Sequence, residues 1–330
     1  RALSPRLHGL AMGLGRSGAS LAAALPTLLL TFLLSTFADL DVDDAIHWLF
    51  DASVPFTGFA LALAIIVLHV PLTLLTQALL CRCLGRVPEG VVSRWSLAYV
   101  RVWLKTGLVD AANNWLTGSL LWPRWLRLAG MRIGPGTEMS TIIDTVPEMV
   151  EVGPGSFFAD GIYLAGPRLH RGTVTLAKVR VGREVFLGNN AVLLAGQTIP
   201  DGVLIGISTA ADETKLRPGT SWFGQPPFEL PRREIIECDR RFTYAPAWVR
   251  LVNRLFWDTL RFALPLVPLA IIVVWFRLLA SAEEAVSLPT LLLLVVPALD
   301  LGVLAGLALF GLALKWALLG RVQPGMHPLY

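Results

Sequence analysis

Four long apolar runs dominate the pattern of hydrophobic and polar positions along this 330-residue chain. The first two, at 17–38 and 52–81, contain no charged side chain. A bilayer core needs about 20 apolar helical residues to cross it, so either run is long enough for a transmembrane helix. Two further runs follow near the end of the chain, at 255–280 and 285–314. The pattern therefore predicts two transmembrane helical hairpins, one on each side of a long middle region.

The second hairpin carries more charge than the first. Its first run is free of charge only over 262–276, so a full span would have to place Asp258, Arg261 and Arg277 near the interface by snorkelling. Its second run contains Asp300, and an acid inside a membrane usually faces protein or water. We therefore expect Asp300 to pair with a neighbour such as His69.

Between the hairpins the hydrophobic pattern changes to a period of six. Neither the 3.6-residue period of a helix nor the two-residue period of a strand explains it, whereas a parallel β-helix does. In that fold each short strand contributes one inward aliphatic residue, and three strands form a coil. Coils of about 18 residues would stack Ile133, Val152 and Val181, with 165–178 partly looped out as an insertion. The repeated positions are Ile133 and Met139; Val152, Phe158 and Leu164; and Val181, Leu187, Leu193, Ile199 and Ile205.

Tryptophan and basic residues alternate just before this repeat, over 91–128. Such a mixture is typical of amphipathic helices that lie on a membrane surface. The alternative is a helical cap whose tryptophans belong to a protein core. These helices and the Pro-rich segment 222–227 would close the two ends of the β-helix. The residues concerned are Trp95, Trp103, Trp115, Trp122 and Trp125, with Arg94, Arg101, Lys105, Arg124 and Arg127.

Composition and charge support a membrane protein. Hydrophobic residues make up 54% and charged residues 16%, against roughly 25% charged in soluble domains. The formal net charge of +4 conceals a segregation, because the stretch 82–261 holds 22 of the 28 Lys and Arg and 16 of the 24 Asp and Glu. By the positive-inside rule the middle region and both termini are expected in the cytoplasm. No nucleic-acid recognition motif accompanies the basic residues, so no nucleic-acid partner is expected.

A short motif occurs after both hairpins. The sequence LGRVPEG at 84–90 is echoed by LGRVQPG at 319–325, and an aromatic residue, Trp95 or Tyr330, follows at the same offset. This similarity predicts that a second hairpin-plus-β-helix module begins near residue 319. Chance similarity of two juxtamembrane segments is the alternative.

These features carry a resemblance to known families. The hexads resemble those of the left-handed β-helix, hexapeptide-repeat acyltransferases, and GQPP at 224–227 resembles the Gly-x-Pro-Ala segment that ends many of their helices. The complete order of elements resembles the membrane half of ε-poly-lysine synthetase and related nonribosomal peptide synthetase-like proteins. The segments FADG at 158–161 and PRR at 231–233 add to this likeness.

The resemblance implies a function. Adenylation and carrier domains would precede several such modules in one chain, and the modules would join aminoacyl groups through amide bonds, as in a polylysine-type polymer. The donor would be a phosphopantetheine thioester delivered by the carrier, with no cofactor bound covalently in this segment. Two alternatives stay open: a hexapeptide acyltransferase that uses acyl-CoA, and a catalytically silent scaffold that docks the carrier or anchors the enzyme to lipid.

Candidate catalytic residues follow from the needs of acyl transfer, which are a base near the amine and donors for the oxyanion. The middle region contains one histidine, His170, in the expected insertion. Its flanking arginines would favour a neutral imidazole base, although a single histidine in a basic loop is usually just solvated. Asp160 or Asp144 could instead bind or orient a cationic amine. Asn189 could donate to an oxyanion, whereas Asn190 is better explained as a turn residue.

The predicted donor-binding residues are Gly224, Gln225 and Pro226, whose backbone could contact a pantetheine arm. A simple terminal cap is the alternative. No metal site is expected, because Cys81 and Cys83 have no further cysteine or histidine nearby in the sequence.

The expected fold is a membrane α + β protein. Two transmembrane hairpins flank a short left-handed parallel β-helix, together with amphipathic interfacial helices. The boundaries are 1–84 for the first hairpin, 85–130 for the interfacial helices, 131–233 for the cytoplasmic β-helix and its Pro-rich cap, 234–254 for a connector, and 255–330 for the second hairpin and the start of a further repeat.

Overall fold

The computed structural model describes residues 3–39, 41, 43–44, 56–231, 246–283 and 285–324. The predicted features at Arg232, Arg233, Gly325 and Tyr330 lie outside these residues. The chain forms two compact units, one from residues 1–26 and 72–261 and the other from residues 27–71 and 262–328.

The described helices include four segments that are long and apolar enough to cross a membrane, as the hydrophobic pattern predicts. These segments are Pro5–Phe37, Ala60–Cys83, Trp248–Glu283 and Leu288–Leu318. The α-helices are α1 (Pro5–Phe37), α2 (Phe56–Cys83), α3 (Leu97–Leu116), α4 (Trp122–Ala129), α5 (Trp248–Leu260), α6 (Leu266–Glu283) and α7 (Val296–Leu318). A short helical turn at Leu288–Thr290 and a π-helical turn at Leu291–Val295 lead into α7.

In the unit formed by 27–71 and 262–328, polar side chains pair within the apolar helices. His69 Nδ1 lies 3.0 Å from the Thr27 hydroxyl, and the Trp275 indole N–H donates to Asp300 over 3.0 Å. The expected pairing of Asp300 with His69 is therefore wrong. Each polar group instead has a partner on a helix that packs close enough to reach it, which removes the cost of leaving it alone among apolar residues.

The predicted third span is interrupted. Helix α5 ends at Leu260, a 3₁₀ turn covers Arg261–Ala263, and α6 begins at Leu266. Asp258 and Arg261 contact backbone groups of the protein at this interruption. The buried Asp258 carboxylate accepts the Leu120 N–H over 2.8 Å, and Arg261 donates to the Trp115 carbonyl over 2.9 Å. These bonds hold the end of α5 against the loop that joins α3 to α4.

The sixteen described strands all belong to the other unit, which comprises residues 1–26 and 72–261. They are β1 (Gly90–Ser93), β2 (Arg132–Ile133), β3 (Glu138–Met139), β4 (Ile142–Ile143), β5 (Val150–Val152), β6 (Phe157–Phe158), β7 (Ile162–Gly166), β8 (Arg168–His170), β9 (Thr173–Leu176), β10 (Val179–Val181), β11 (Phe186–Leu187), β12 (Val192–Leu194), β13 (Thr198–Ile199), β14 (Leu204–Ile205), β15 (Ser221–Phe223) and β16 (Phe228–Leu230).

Most of these strands form a parallel β-helix with three faces. The faces are the sheets β2-β5-β10-β13, β3-β6-β11-β14-β15 and β4-β7-β12, and neighbours within each pair in parallel. Ile133 lies opposite Val152, and Val152 lies opposite Val181. The predicted stacking is therefore confirmed.

The hexad residues fill the interior of the β-helix, as the period of six predicts. Met139, Phe158, Leu187 and Ile205 form one buried column through four successive coils. Successive coils approach so closely at the corners that side chains do not fit there. A Cβ atom on Gly153 would lie 2.6 Å from the backbone carbonyl carbon of Gly182.

The predicted insertion is an antiparallel arm. Strands β8 and β9 form a hairpin, and β1 pairs with the other edge of β9. The arm explains why the coil between Val152 and Val181 is longer than its neighbours.

The Trp-rich helices are a protein cap. Trp122 and Trp125 are buried, and their indole N–H groups donate to the carbonyls of Ser140 and Leu74. Arg127 closes the first coil by donating to the carbonyl of Ile133 over 2.9 Å. The expectation that these helices lie on lipid is thus wrong for Trp122 and Trp125, because their rings are part of the protein core. At the other end, the antiparallel β15–β16 hairpin caps the last coil.

Candidate functional site

A cavity beside the β-helix has a volume of about 960 Å³, and we call it the outer cavity. Its floor is the outer surface of the sheet that contains β3, β6 and β11. Its walls are α4, α5 and the loop between α3 and α4. The polar residues that line it include Arg124, Glu138, Ser140, Asp160, Asn189 and Arg254.

A column of polar residues runs along one corner of the β-helix into this cavity. Thr141, Asp160 and Asn189 each stand two positions after a buried hexad residue of successive coils. The Thr141 hydroxyl donates to Asp160 Oδ1 over 3.2 Å, and the Asp160 N–H donates to Asn189 Oδ1 over 3.1 Å. We call these three residues the corner column.

Asp160 is the charged member of the column and the most strongly hydrogen-bonded. Ser140 donates its hydroxyl to Asp160 Oδ1, and Thr117 lies within hydrogen-bond distance of both Ser140 and Thr141. The Ser140 hydroxyl bond, followed by bonds from Thr141, lowers the pKa of the Asp160 carboxyl below its ordinary value. Asp160 is therefore a carboxylate at neutral pH, open to the cavity.

Asn189 presents a donor to the same space. Because its Oδ1 atom accepts the Asp160 N–H, the NH₂ end of the amide is left to donate elsewhere. Asn190, the next residue, has a positive φ of 57°, which confirms its interpretation as a turn residue.

The remaining walls supply charge and apolar surface. Arg254 of α5 forms a bidentate ion pair with Glu138, with N–O distances of 3.1 and 3.2 Å, and this pair holds α5 against the cavity. The exposed rings of Phe157 and Phe186 stack with centroids 5.3 Å apart. Arg124 lines the cavity and has no hydrogen bond or ion pair among the described residues.

The structure brings together two of the three predicted catalytic residues. Asp160 and Asn189 line the outer cavity, but His170 does not. It lies on the exposed strand β8 of the arm, opposite Thr173. Asp144 lines a different cavity, which is described below.

The predicted donor-binding residues also lie outside the outer cavity. Gly224, Gln225 and Pro226 form the turn of the β15–β16 hairpin. The Gly224 N–H donates to the Thr209 hydroxyl over 2.9 Å, and the Gln225 amide donates to the Ser208 carbonyl over 2.9 Å. These contacts are those of a cap that ties the hairpin to the last coil.

Sequence reasoning missed Ser140, Thr141 and Arg254. For Thr141 a signal existed. Alignment of the hexads Met139, Phe158 and Leu187 places Thr141 level with Asp160 and Asn189, so three successive coils carry a polar residue at that offset. Ser140, one position earlier, had no such signal. Arg254 carried no such signal, because its position beside Glu138 depends on how α5 packs.

Comparisons with known proteins give one clear relative. The chain is similar to δ-poly-L-ornithine synthetase of Acinetobacter baumannii, with 31% identity over 254 residues. The match covers 75% of this chain and 19% of that much longer protein. No family model matches the chain.

Solved structures of similar fold are more distant. The chain is similar to a galactoside acetyltransferase in complex with coenzyme A, with 16% identity and a TM-score of 0.34 over 46% of this chain and 88% of the other. It is also similar to a hexapeptide-repeat acetyltransferase of Vibrio cholerae O1 biovar eltor complexed with acetyl coenzyme A. That likeness has 16% identity and a TM-score of 0.32, over 44% of this chain and 93% of the other.

Proposed function

We propose that the outer cavity is an acyl-transfer site in which an amine attacks an aminoacyl thioester. The observation that carries this proposal is the Asp160 carboxylate, held ionised by Ser140 and Thr141 and turned toward a cavity large enough for two substrates. Ligand cavities of roughly 300–1,000 Å³ are typical of small-molecule sites.

Asp160 acts in this proposal as an anchor for a cationic amine. A general base works best when its pKa lies near the working pH, and the pKa of Asp160 is lowered instead. An ionised carboxylate stabilises an ammonium group and the positive charge that develops on nitrogen during attack. The bound ammonium first loses one proton to water; the neutral amine then forms the N–C bond, the C–S bond breaks, and the second proton lost by nitrogen ends on the departing thiolate. The free NH₂ of Asn189 donates to the oxyanion.

The donor is proposed to be a phosphopantetheine thioester on a carrier domain. Phe157 and Phe186 offer an apolar surface for the pantetheine chain, and Arg124 offers a guanidinium for its phosphate. Acyl-CoA carries the same arm and phosphate, so it remains the alternative donor.

The proposal that the product is a polymer is supported by the similarity to δ-poly-L-ornithine synthetase. We infer that this chain is a membrane module of a larger synthetase that joins basic amino acids into a polylysine- or polyornithine-type product. In this proposal carrier and adenylation domains and further modules belong to the same chain. The two hairpins cross the bilayer, and the β-helix, of left-handed type, lies with both termini in the cytoplasm, as the distribution of Lys and Arg favours.

The test is amide formation by the purified chain in lipid nanodiscs. Lysyl and ornithyl thioesters of pantetheine and of coenzyme A serve as donors, and free lysine or ornithine as acceptor. Asp160→Asn should lower the rate about 100-fold, a loss typical of a removed electrostatic contact. Asp201→Asn is the matched control, since Asp201 is a hydrogen-bonded carboxylate at another corner of the same β-helix. That variant and His170→Ala should stay within about twofold of the parent. An Asp160→Asn variant that is folded and fully active would refute the proposal.

A scaffold is the second candidate function, and one observation favours it. No histidine or cysteine is among the described residues that line the outer cavity, so a base of near-neutral pKa is missing there. A scaffold predicts that the parent chain forms no amide from any of the four donors while it still binds a loaded carrier domain.

A further inference from the structure

A second cavity, of about 490 Å³, lies between α1, α2, α3 and the turn that follows β4. We call it the inner cavity. Its polar lining includes Arg16, Ser20, Gln77, Thr106, Asp110 and Asp144, and its apolar lining includes Trp103 and Leu104. It shares no lining residue with the outer cavity.

The inner cavity contains hydrogen-bond acceptors that have no donor among the described residues. The carboxylates of Asp110 and Asp144 have no hydrogen bond or ion pair among the described residues. The Oε1 atom of Gln77 is buried there without a partner. A buried acceptor left alone is costly, which points to a donor-rich ligand.

Electrostatics point the same way. Burial and then the neighbouring Asp144 carboxylate raise the pKa of Asp110 to about 6. Arg16 also lines the cavity, but it forms no ion pair with either aspartate in the described part of the chain. The carboxylates of Asp110 and Asp144 therefore repel each other, and no described cation forms an ion pair with either of them.

The number and type of acceptors select the class of cation. A primary ammonium has three N–H donors, which suit the two carboxylates and the Gln77 oxygen. Trp103 and Leu104 give an apolar wall for a hydrocarbon stem, and an aromatic face also attracts an ammonium group. A dedicated metal site is less well matched, because the described residues contain no group of three His, Cys, Asp or Glu that could hold an ion.

We propose that the inner cavity binds the ammonium group of a primary amine between Asp110 and Asp144, with Gln77 Oε1 as third acceptor. This chemistry occurs in free alkyl amines, including lysine-type side chains, and in the phosphatidylethanolamine headgroup. The proposal does not rest on the acyl-transfer function, because it concerns different residues in a separate cavity.

The experiment measures binding to the intact chain in nanodiscs by isothermal titration calorimetry at pH 7.5. The soluble probe is pentylamine, and pentanol is its uncharged match. Nanodiscs of phosphatidylcholine, with or without phosphatidylethanolamine, separate the two sources. If the lipid is the natural occupant, phosphatidylethanolamine should weaken pentylamine binding by competition. If a free amine is the natural occupant, phosphatidylethanolamine should not change pentylamine binding.

Three variants complete the test. Asp110→Asn and Asp144→Asn should each weaken pentylamine binding at least tenfold. Glu213→Gln, which removes an exposed carboxylate elsewhere on the β-helix, should leave it unchanged. Binding to the parent should also weaken below about pH 6 as Asp110 takes up a proton beside Asp144 and Arg16. Equal binding of pentanol, no measurable binding of pentylamine, or equal losses in Glu213→Gln and the two aspartate variants would overturn the proposal.

Discussion

The buried ion pair between Lys105 and Glu148 provides the most quantitative prediction from the structure. Lys105 of α3 donates to Glu148 Oε1, and its side chain is 3% exposed. The same oxygen accepts the N–H of Val87 over 2.9 Å. Glu148 belongs to a 3₁₀ turn, Pro147–Met149, at the start of β5. The pair thus fastens both α3 and the segment after α2 to the β-helix.

Removal of either Lys105 or Glu148 alone should lower the free energy of unfolding much more than removal of both charges. A buried charge left without its partner typically costs about 3–5 kcal/mol. Glu148 is 15% exposed and would keep the Val87 bond, so we expect Lys105→Met to cost about 3 kcal/mol, the lower end of that range. Glu148→Gln strands the lysine and should cost a similar amount. In the double variant Lys105→Met with Glu148→Gln neither side chain is charged, and the introduced amide oxygen can still accept from Val87, so the loss should be about 1 kcal/mol.

Thermal unfolding of the chain in detergent or nanodiscs measures this cycle. A loss of about 3 kcal/mol in a unit of this size should lower Tm by roughly 6–12 °C. The exposed pair of Arg183 and Asp201, whose side chains are 71% and 51% exposed, gives the matched control. Arg183→Met should cost less than about 1 kcal/mol, as is typical of surface pairs. Additive losses in the double variant, or equal effects of Lys105→Met and Arg183→Met, would refute the reasoning.

Three further predictions follow from other parts of the structure. Gly153→Ala places a Cβ atom against the Gly182 backbone and should lower the free energy of unfolding by about 2 kcal/mol. Gly107→Ala in α3, where nothing lies within 4 Å of the new Cβ atom, should raise it by about 0.5–1 kcal/mol. Chemical unfolding measures both variants, and equal effects would contradict the close packing of the coils. Because the pKa of Asp110 is raised to about 6, the folded chain binds more protons than the unfolded chain between about pH 4 and 6, so stability falls as pH rises through this window and then levels off. Asp110→Asn should therefore raise Tm at pH 7 but not at pH 4, and an equal change at both would argue against this origin. Arg254→Lys keeps the charge but loses the bidentate bond to Glu138, so hydrogen exchange of α5 should accelerate while that of β6 and β11 does not.

The repeat and the apolar runs could be predicted from sequence because both are periodic and local. Each hexad residue reports the inside of one strand, so Phe158 and Leu187 identify their strands without knowledge of the rest of the chain. The same regularity predicted that the residues between Val152 and Val181 include an insertion. Asp160 and Asn189 were predicted as site residues from their chemistry, Asp160 as a carboxylate for a cationic amine and Asn189 as an amide donor to an oxyanion.

The roles of Trp122, Trp125 and His170 depend on packing, which no local pattern encodes. The sequence pattern of a tryptophan beside an arginine is the same whether the tryptophan ring contacts lipid or a protein core. Here the indole N–H of Trp125 reaches the Leu74 carbonyl, a contact between residues far apart in sequence. His170 was chosen for its chemistry alone, and the arm carries it to a strand outside both cavities described here.

The most direct test of the central proposal is a structure of the chain in nanodiscs with a stable amide analogue of lysyl-phosphopantetheine. The account predicts that the analogue occupies the outer cavity, with its amine within hydrogen-bond distance of the Asp160 carboxylate and its pantetheine chain along Phe157 and Phe186. An analogue bound at His170 on the arm, or at the Gly224–Pro226 turn, with the outer cavity unoccupied, would contradict it.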